Sequence, residues 1–281
     1  MSDTIELRYR DLVFDDTTYR ISDLSGWEGL PSINVDDTAR PNAHGSFDTP
    51  TWAGARTVVA EGYCIDLAQR SALLAAIGAA AIPDGDGDPQ PLRITFADRT
   101  LYSPARITAY DTTLKNWGVG HFGWQVQWRC PDPLRYVVDQ EIQTGLPTNA
   151  NGMQFALASA DGIQFLPANT QGQLGVHNEG TAATWPIFGV RGPLPGGFAI
   201  IEYETGRRLQ YSADVADGSL VTINTRTGEV LLDGAGGFDG NLTVRQWWPI
   251  PPGADRYIRF IALGAASPDA LLTLRWAPAY W

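Results

Sequence analysis

Cysteine and histidine are scarce in this chain. Its 281 residues hold only Cys64 and Cys130, without the paired spacings of a disulfide framework or a zinc site. Both kinds of site are therefore excluded, and the two thiols are expected to serve as small buried apolar groups. The histidines, His44, His121 and His177, lie far apart with no metal-binding set legible around them. Cations are in the minority: 20 Lys and Arg against 31 Asp and Glu give a formal net charge of -11 and a pI near 4.6. Binding nucleic acid through its phosphates needs clustered cations, so this composition excludes direct, sequence-specific nucleic-acid binding. No stretch approaches the roughly twenty apolar residues that cross a bilayer, so no membrane insertion is expected. The opening residues, MSDTIELRYRD, lack the apolar core and cleavage site of a signal peptide, which predicts a soluble protein made in a cytoplasm.

What the chain does have is 30 Gly, 19 Pro and 10 each of Trp, Tyr and Phe, with 44% hydrophobic residues. That mixture predicts many short strands joined by punctuated turns. A chain of this length organises more than one core, and the polar, turn-rich run Asp139 to Asn151 marks the boundary. The expected division is a domain over 1–138, linker and lead-in strands over 139–170 (with short strands between Met153 and Leu166), and a second domain over 171–281.

In the first domain, strands are expected at Ile5–Tyr9, Asp11–Phe14, Thr17–Leu24, Thr57–Asp66, Leu92–Phe96, Leu101–Tyr110 and Phe122–Cys130. The last alternates Trp124, Val126, Trp128 and Cys130 with Gln125, Gln127 and Arg129, the pattern of a half-buried antiparallel strand. One helix is legible, Leu67 to Ala80, capped by Asp66, with Leu67, Leu74 and Ile77 on its apolar face and Pro83 stopping it. The stretch 34–55, NVDDTARPNAHGSFDTPTWAGA, is a long connection poor in apolar residues. Long loops inside compact domains need something to order them, so it is expected to be an arm that docks on a neighbouring subunit through Phe47 and Trp52.

The second domain is organised around Val176 to Gly192, a strand led by turn residues Asn178 and Gly180 and ended by Gly192-Pro193. Pro186 cannot donate to a ladder, so a bulge or sheet edge is expected at Trp185-Pro186. Its partners are Phe198–Tyr203, Arg208–Tyr211, Leu220–Asn224, Val230–Asp233, Leu242–Gln246, Tyr257–Leu263 and Leu271–Trp276, with a hairpin at Thr227-Gly228. Such spacing without a helix predicts an antiparallel jelly-roll sandwich, so the fold class is mainly β with two β-sandwich domains.

Motifs that imitate chemistry fail on context. Gly118 to Gly123 has dinucleotide-fingerprint spacing but precedes a strand where a strand should precede it. Asp84 to Asp88 opens like a calcium loop, yet Pro89 stands where Gly is needed and Thr95 where Glu is needed. No Gly-x-Ser-x-Gly elbow or triad is present. Glu202, Glu204 and Asp217 are the acids that could meet in a glycosidase cleft, with solvated surface acids as the plainer account. On a strand Trp247 and Trp248 point to opposite faces; if one enters the core, its neighbour is left as a glycan-stacking or interface aromatic, with subunit packing or a loop-covered core as the plainer account. No catalytic residue, metal or cofactor is expected.

Asn178, Gly180, Pro186-Ile187 and Gly192-Pro193, then Thr227-Gly228-Glu229-Val230 and Pro252-Gly253 ahead of Tyr257-Ile258-Arg259-Phe260, resemble the C-terminal half of siphophage distal tail proteins. Arg10-Asp11-Leu12-Val13, Glu61-Gly62-Tyr63, the single helix and the Trp124 to Tyr136 segment with its Pro-Asp-Pro stop resemble their ring-forming N-terminal domain. The resemblance implies a tail-tube-like first domain with one flanking helix and a galectin-like second domain. It further implies a non-enzymatic structural virion protein at the tail tip or baseplate. Such a subunit forms an oligomeric ring, commonly a hexamer, that joins the tail tube protein to the hub and host-recognition proteins, with a host-surface glycan as a further candidate partner. A carbohydrate-binding module and a polysaccharide hydrolase are the alternatives.

Overall fold

The computed structural model describes residues 5–15, 17–82, 87–97, 99–113, 118, 120–147 and 172–281. The chain divides into one compact unit of residues 1–138 with 280–281 and a second of residues 139–279. The expected strands between Met153 and Leu166 and the helix stop at Pro83 lie outside the described residues.

The first unit contains β1 (Ile5–Tyr9), β2 (Leu12–Phe14), β3 (Arg20–Ser25), β4 (Ile33–Asn34), β5 (Thr38–Ala39), β6 (Ser46–Phe47), β7 (Trp52–Ala53), β8 (Arg56–Cys64), α1 (Arg70–Ala81), β9 (Gln90–Phe96), β10 (Arg99–Thr113), β11 (Phe122–Cys130) and β12 (Arg135–Tyr136). Its main sheet runs β2-β1-β9-β10-β11-β8-β3. The long strand β10 joins its two halves: residues 99–105 pair with β9, and 106–113 pair with β11 across a register shift at Ile107/Ala109. Pro91 and Pro104 sit opposite each other in the β9–β10 ladder, so the two missing donors fall at one register position.

The halves face each other through aromatic side chains. Phe14 of β2 lies 4.4 Å from Trp124 of β11, and Tyr9 of β1 lies 6.2 Å from Trp128. Trp124, Val126, Trp128 and Cys130 all point into this core, as their alternation predicts. Cys64 and Cys130 are free and buried. Burial, the largest influence, pushes the Cys130 thiol up despite the opposing effects of Ser103 and Arg56. Neither thiol is expected to react with a water-soluble disulfide reagent until denaturant is added. Rapid labelling of the native protein would show that this core opens.

The helix differs in detail from its pattern. Asp66 caps as expected, accepting from the Ala68 N–H at 2.9 Å, but the first turn is a 3-10 turn, Leu67–Gln69, and α1 follows it. The buried face is Leu73, Ile77 and Ala80, while Leu67 is exposed and Leu74 only half-buried. Spacing of four and three residues puts Leu73, Ile77 and Ala80 on one stripe, and the tighter first turn rotates Leu67 away from it.

The second unit contains β13 (Gln140–Gly145), β14 (Gln173–His177), β15 (Ile187–Arg191), β16 (Phe198–Glu202), β17 (Arg208–Tyr211), β18 (Leu220–Asn224), β19 (Val230–Leu232), β20 (Leu242–Arg245), β21 (Asp255–Ala262) and β22 (Leu271–Trp276); β23 (Ala279–Tyr280) follows. Two five-stranded antiparallel sheets, β13-β22-β15-β18-β19 and β14-β21-β16-β17-β20, share one core. Phe188, Val190, Ile223 and Leu274 from the first meet Phe198, Leu209, Tyr211 and Phe260 from the second.

Two expectations for this unit are corrected. Val176 to Gly192 is not one strand: Val176 ends in β14, whereas Ile187–Arg191 is β15 of the other sheet. Nor does Pro186 mark a bulge or an edge. It sits just before β15, which is central, paired with β18 on one side and β22 on the other, so its missing N–H falls outside the ladder. Its carbonyl accepts from the Thr225 hydroxyl at 2.6 Å. The Thr227-Gly228 hairpin joins β18 to β19, with Gly228 at φ +76 donating to the Asn224 carbonyl at 2.9 Å. Within the stretch expected to be linker and lead-in strands, β13 is a full edge strand on β22, clasped by an Arg275–Glu141 ion pair at 2.6 Å.

Candidate functional site

The long connection of the first unit is an arm built of two short ladders. Ile33-Asn34 pairs with Trp52-Ala53, and Thr38-Ala39 pairs with Ser46-Phe47. Each is too short to show a two-residue period, which is why the stretch looks like loop in sequence. The arm is held by its own bonds. The Asp37 carboxylate accepts from Ser46 Oγ at 2.9 Å and from the Thr49 N–H at 3.3 Å, and the Arg40 N–H donates to the Gly45 carbonyl at 3.2 Å to close the tip. Its large apolar side chains face water: Phe47 is 56% exposed and Trp52 72%, with Leu30, Ile33 and Val35 also exposed. The Arg40 guanidinium lies 5.4 Å from the centre of the Phe47 ring.

The base of the arm is fixed by a residue that no local pattern reveals. Arg56 is 1% exposed, and its Nη1 donates to the carbonyls of Gly26, Trp27 and Gly29 while its Nε donates to that of Pro133 at 2.9 Å. Burial, and next the nearby Arg135, lowers its pKa below the usual arginine value, yet an arginine starts so high that it stays charged at neutral pH. Arg135 in turn pairs with Glu28 at 3.1 Å. These two cations pin the turn from which the arm departs.

Of the three acids that could meet in a cleft, two are tied to other groups. Glu202 is buried and occupied by Arg256 Nε at 2.9 Å. Glu204 accepts from the Tyr257 backbone N–H at 3.0 Å, and the backbone of Asp217 forms an isolated bridge with Gly192. His177 Nδ1 meets Asp255 Oδ1 at 2.8 Å on the surface. Among the described residues, no three or more His, Cys, Asp and Glu gather where they could hold a metal ion. Of the calcium-like run, Asp84 to Asp86 lie outside the described residues. In the Gly118 to Gly123 run, Gly123 belongs to β11, where a Cβ would come within 2.6 Å of Thr113 Oγ1; Val119 is not described.

The two tryptophans do not lie on a strand, since β20 ends at Arg245, and the expected split onto opposite strand faces does not occur: both pack on one core. Trp248 is 1% exposed and packs 5.9 Å from Phe188, which removes it as a glycan or interface aromatic. Trp247 is half-buried against the same core, its ring edge 3.4 Å from where a Cβ on Gly228 would lie. The residue most buried in hydrogen bonds is Asn178, read from sequence only as a turn former. Its side chain binds the carbonyls of Ala182 and Ile250 at 2.8 and 3.0 Å and accepts from the Gly180 N–H at 3.0 Å.

Neither a protein-family model nor a curated protein matches this sequence. Solved structures do. The Dit protein of phage SPP1, described as a paradigm of the hub adsorption apparatus in phages that infect Gram-positive bacteria, matches with a TM-score of 0.67 at 12% identity over 99% of both chains. A chain of the phage P2 baseplate in its activated conformation with calcium matches with a TM-score of 0.51 at 13% identity over 98% of both chains. The strontium form of that baseplate gives the same values, 0.51, 13% and 98%. At these identities the likeness is one of architecture, and it covers the whole chain: this protein has the mainly β, sandwich-built fold of a siphophage distal tail protein.

Proposed function

We propose that this chain is a structural subunit of a phage tail tip, a non-enzymatic distal tail protein that assembles into a ring, a hexamer in this reading. The ring joins the tail tube to the hub and host-recognition proteins, and the subunit is made in the host cytoplasm and resides in the virion. The observation that carries the proposal is the arm. It presents Phe47, Trp52 and three aliphatic side chains to water on a frame ordered by its own hydrogen bonds, which a lone molecule has no use for. A head-to-tail contact of this kind, an arm on one copy and a different surface on the next, closes into a ring when the rotation permits. End-to-end agreement with the Dit fold over 99% of both chains supports the same reading. Glu202 and Glu204, each tied to another group, give the hydrolase alternative little to build on.

Deleting Asn42 to Trp52 is expected to leave both units folded and to convert a ring into monomers. A gentler variant, Phe47→Asp with Trp52→Asp, keeps the chain length and removes only the anchors. At about 2 kcal/mol per anchor it is expected to weaken assembly by roughly three powers of ten. Sedimentation velocity reads both, with thermal unfolding as the control. A full-sized ring from either variant, at unchanged stability, would defeat the docking role.

A further inference from the structure

The outer face of the sheet β14-β21-β16 carries two exposed tyrosines. Tyr203, just beyond β16, donates its N–H to the Tyr257 carbonyl of β21 at 2.9 Å, so the two residues are cross-strand neighbours. Ile200 and Glu202 point inward on one strand and Ile258 and Phe260 on the other, which places both tyrosines on the outer face. They are 72% and 48% exposed. Opposite Tyr257 on its other side is Gly175 of β14, and a Cβ there would stand 3.4 Å from Tyr257 Cε1 and 3.7 Å from Cδ1. The ring therefore leans over the one position of β14 that has no side chain, Gly175.

Fixed polar groups surround the pair. Glu204 is held by the Tyr257 N–H at 3.0 Å, His177 and Asp255 are locked together at 2.8 Å, and Arg259 lies exposed one pleat away on β21. On the inner side, buried Glu202 pairs with the partly exposed Arg256 at 2.9 Å and ties β16 to β21 beneath the tyrosines.

We propose that Tyr203 and Tyr257 form a saccharide-binding platform that takes a neutral pyranose-based oligosaccharide. The C–H face of a sugar ring stacks on the tyrosines, and its hydroxyls reach Glu204, Arg259 and the His177–Asp255 pair. Area decides against a protein partner. Two aromatic side chains bury about 150–250 Å² each, well short of the roughly 800 Å² per partner of a stable protein interface. A shallow aromatic pair with a polar rim is instead the scale of one or two sugar rings. The proposal does not depend on ring assembly.

The test uses the full chain with 13C-labelled tyrosine rings, titrated with neutral oligosaccharides of glucose, galactose, mannose and N-acetylglucosamine and followed by tyrosine chemical shifts and calorimetry. At least one series is expected to shift the Tyr203 and Tyr257 resonances. Tyr203→Ala or Tyr257→Ala should each weaken that binding by about tenfold, the scale of one aromatic contact. The corresponding Phe variants, which keep the ring, should stay within about threefold. Both positions are exposed, so thermal unfolding and sedimentation should match the parent chain, which separates this outcome from any failure of assembly. Silence across the four series, or binding that survives the double alanine variant, overturns the platform.

Discussion

Arg56→Ala is expected to destabilise the first unit by about 3–5 kcal/mol, the scale found when one member of a buried, hydrogen-bonded charged network is removed. The reason is what the substitution leaves behind. The guanidinium serves four carbonyls, those of Gly26, Trp27, Gly29 and Pro133, which lie 27 to 77 residues from it in sequence. Alanine offers them no donor, and each carbonyl stranded away from water costs about 1–3 kcal/mol. It also empties the space of a side chain that is itself buried. Lysine is no substitute, because one ammonium with three rotatable donors cannot reproduce a planar fork aimed at carbonyls on two segments. Urea unfolding with hydrogen exchange resolved by peptide separates the units. Exchange should accelerate in 20–30 and 56–64 while 187–191 and 198–202 keep their protection. A loss under about 1 kcal/mol would mean that water takes over the guanidinium's role.

Residues with a strong local signal were placed correctly from sequence, and those whose role depends on distant partners were not. Trp124 to Cys130 alternates with a period of two, and a strand buried on one face has no other way to lie, so its core face was legible. Thr227-Gly228 was legible because a glycine between two apolar runs marks a hairpin. In α1 alanine fills many positions, and with small residues all round periodicity separates the faces weakly, so the sequence pattern favours Leu67 and Leu74 where the buried stripe runs through Leu73. The centrality of Ile187–Arg191 depends on β22, more than 80 residues later, which strand patterns cannot reveal. The arm's aromatics were found by their isolation in a polar stretch. Its ladders were missed because two-residue strands carry no period. The strand alternation expected of Trp247 and Trp248 fails because β20 ends at Arg245, and outside a ladder neighbouring side chains can both turn to one core. Tyr203 and Tyr257 went unremarked as a pair, since they are 54 positions apart and meet only through the β16–β21 register.

The second large effect is expected at Asn178. Asn178→Ala should lower the stability of the second unit by about 3 kcal/mol, more than the typical point substitution. Asn178 is fully buried, and its amide nitrogen is shared among the carbonyls of Ala182, Ile250 and Pro251, at 2.8, 3.0 and 3.3 Å, while its oxygen takes the Gly180 N–H. Its own backbone adds bonds to Ala254 and Gly253. One side chain thus ties the segment between β14 and β15 to the segment ahead of β21, where the loops of the two sheets converge. Alanine removes every side-chain bond at once and strands several buried groups. Asn178→Asp should be at least as harmful at neutral pH, because a carboxylate cannot donate and brings a charge against three carbonyls. The neighbouring Gly180 gives a contrasting control, since a Cβ there would stand 2.0 Å from the Ala279 carbonyl oxygen, so Gly180→Ala should destabilise by steric overlap instead. Chemical denaturation of the three variants distinguishes the cases. If Asn178→Ala unfolds within about 1 kcal/mol of the parent, the convergence of the loops is held by backbone pairing and packing alone.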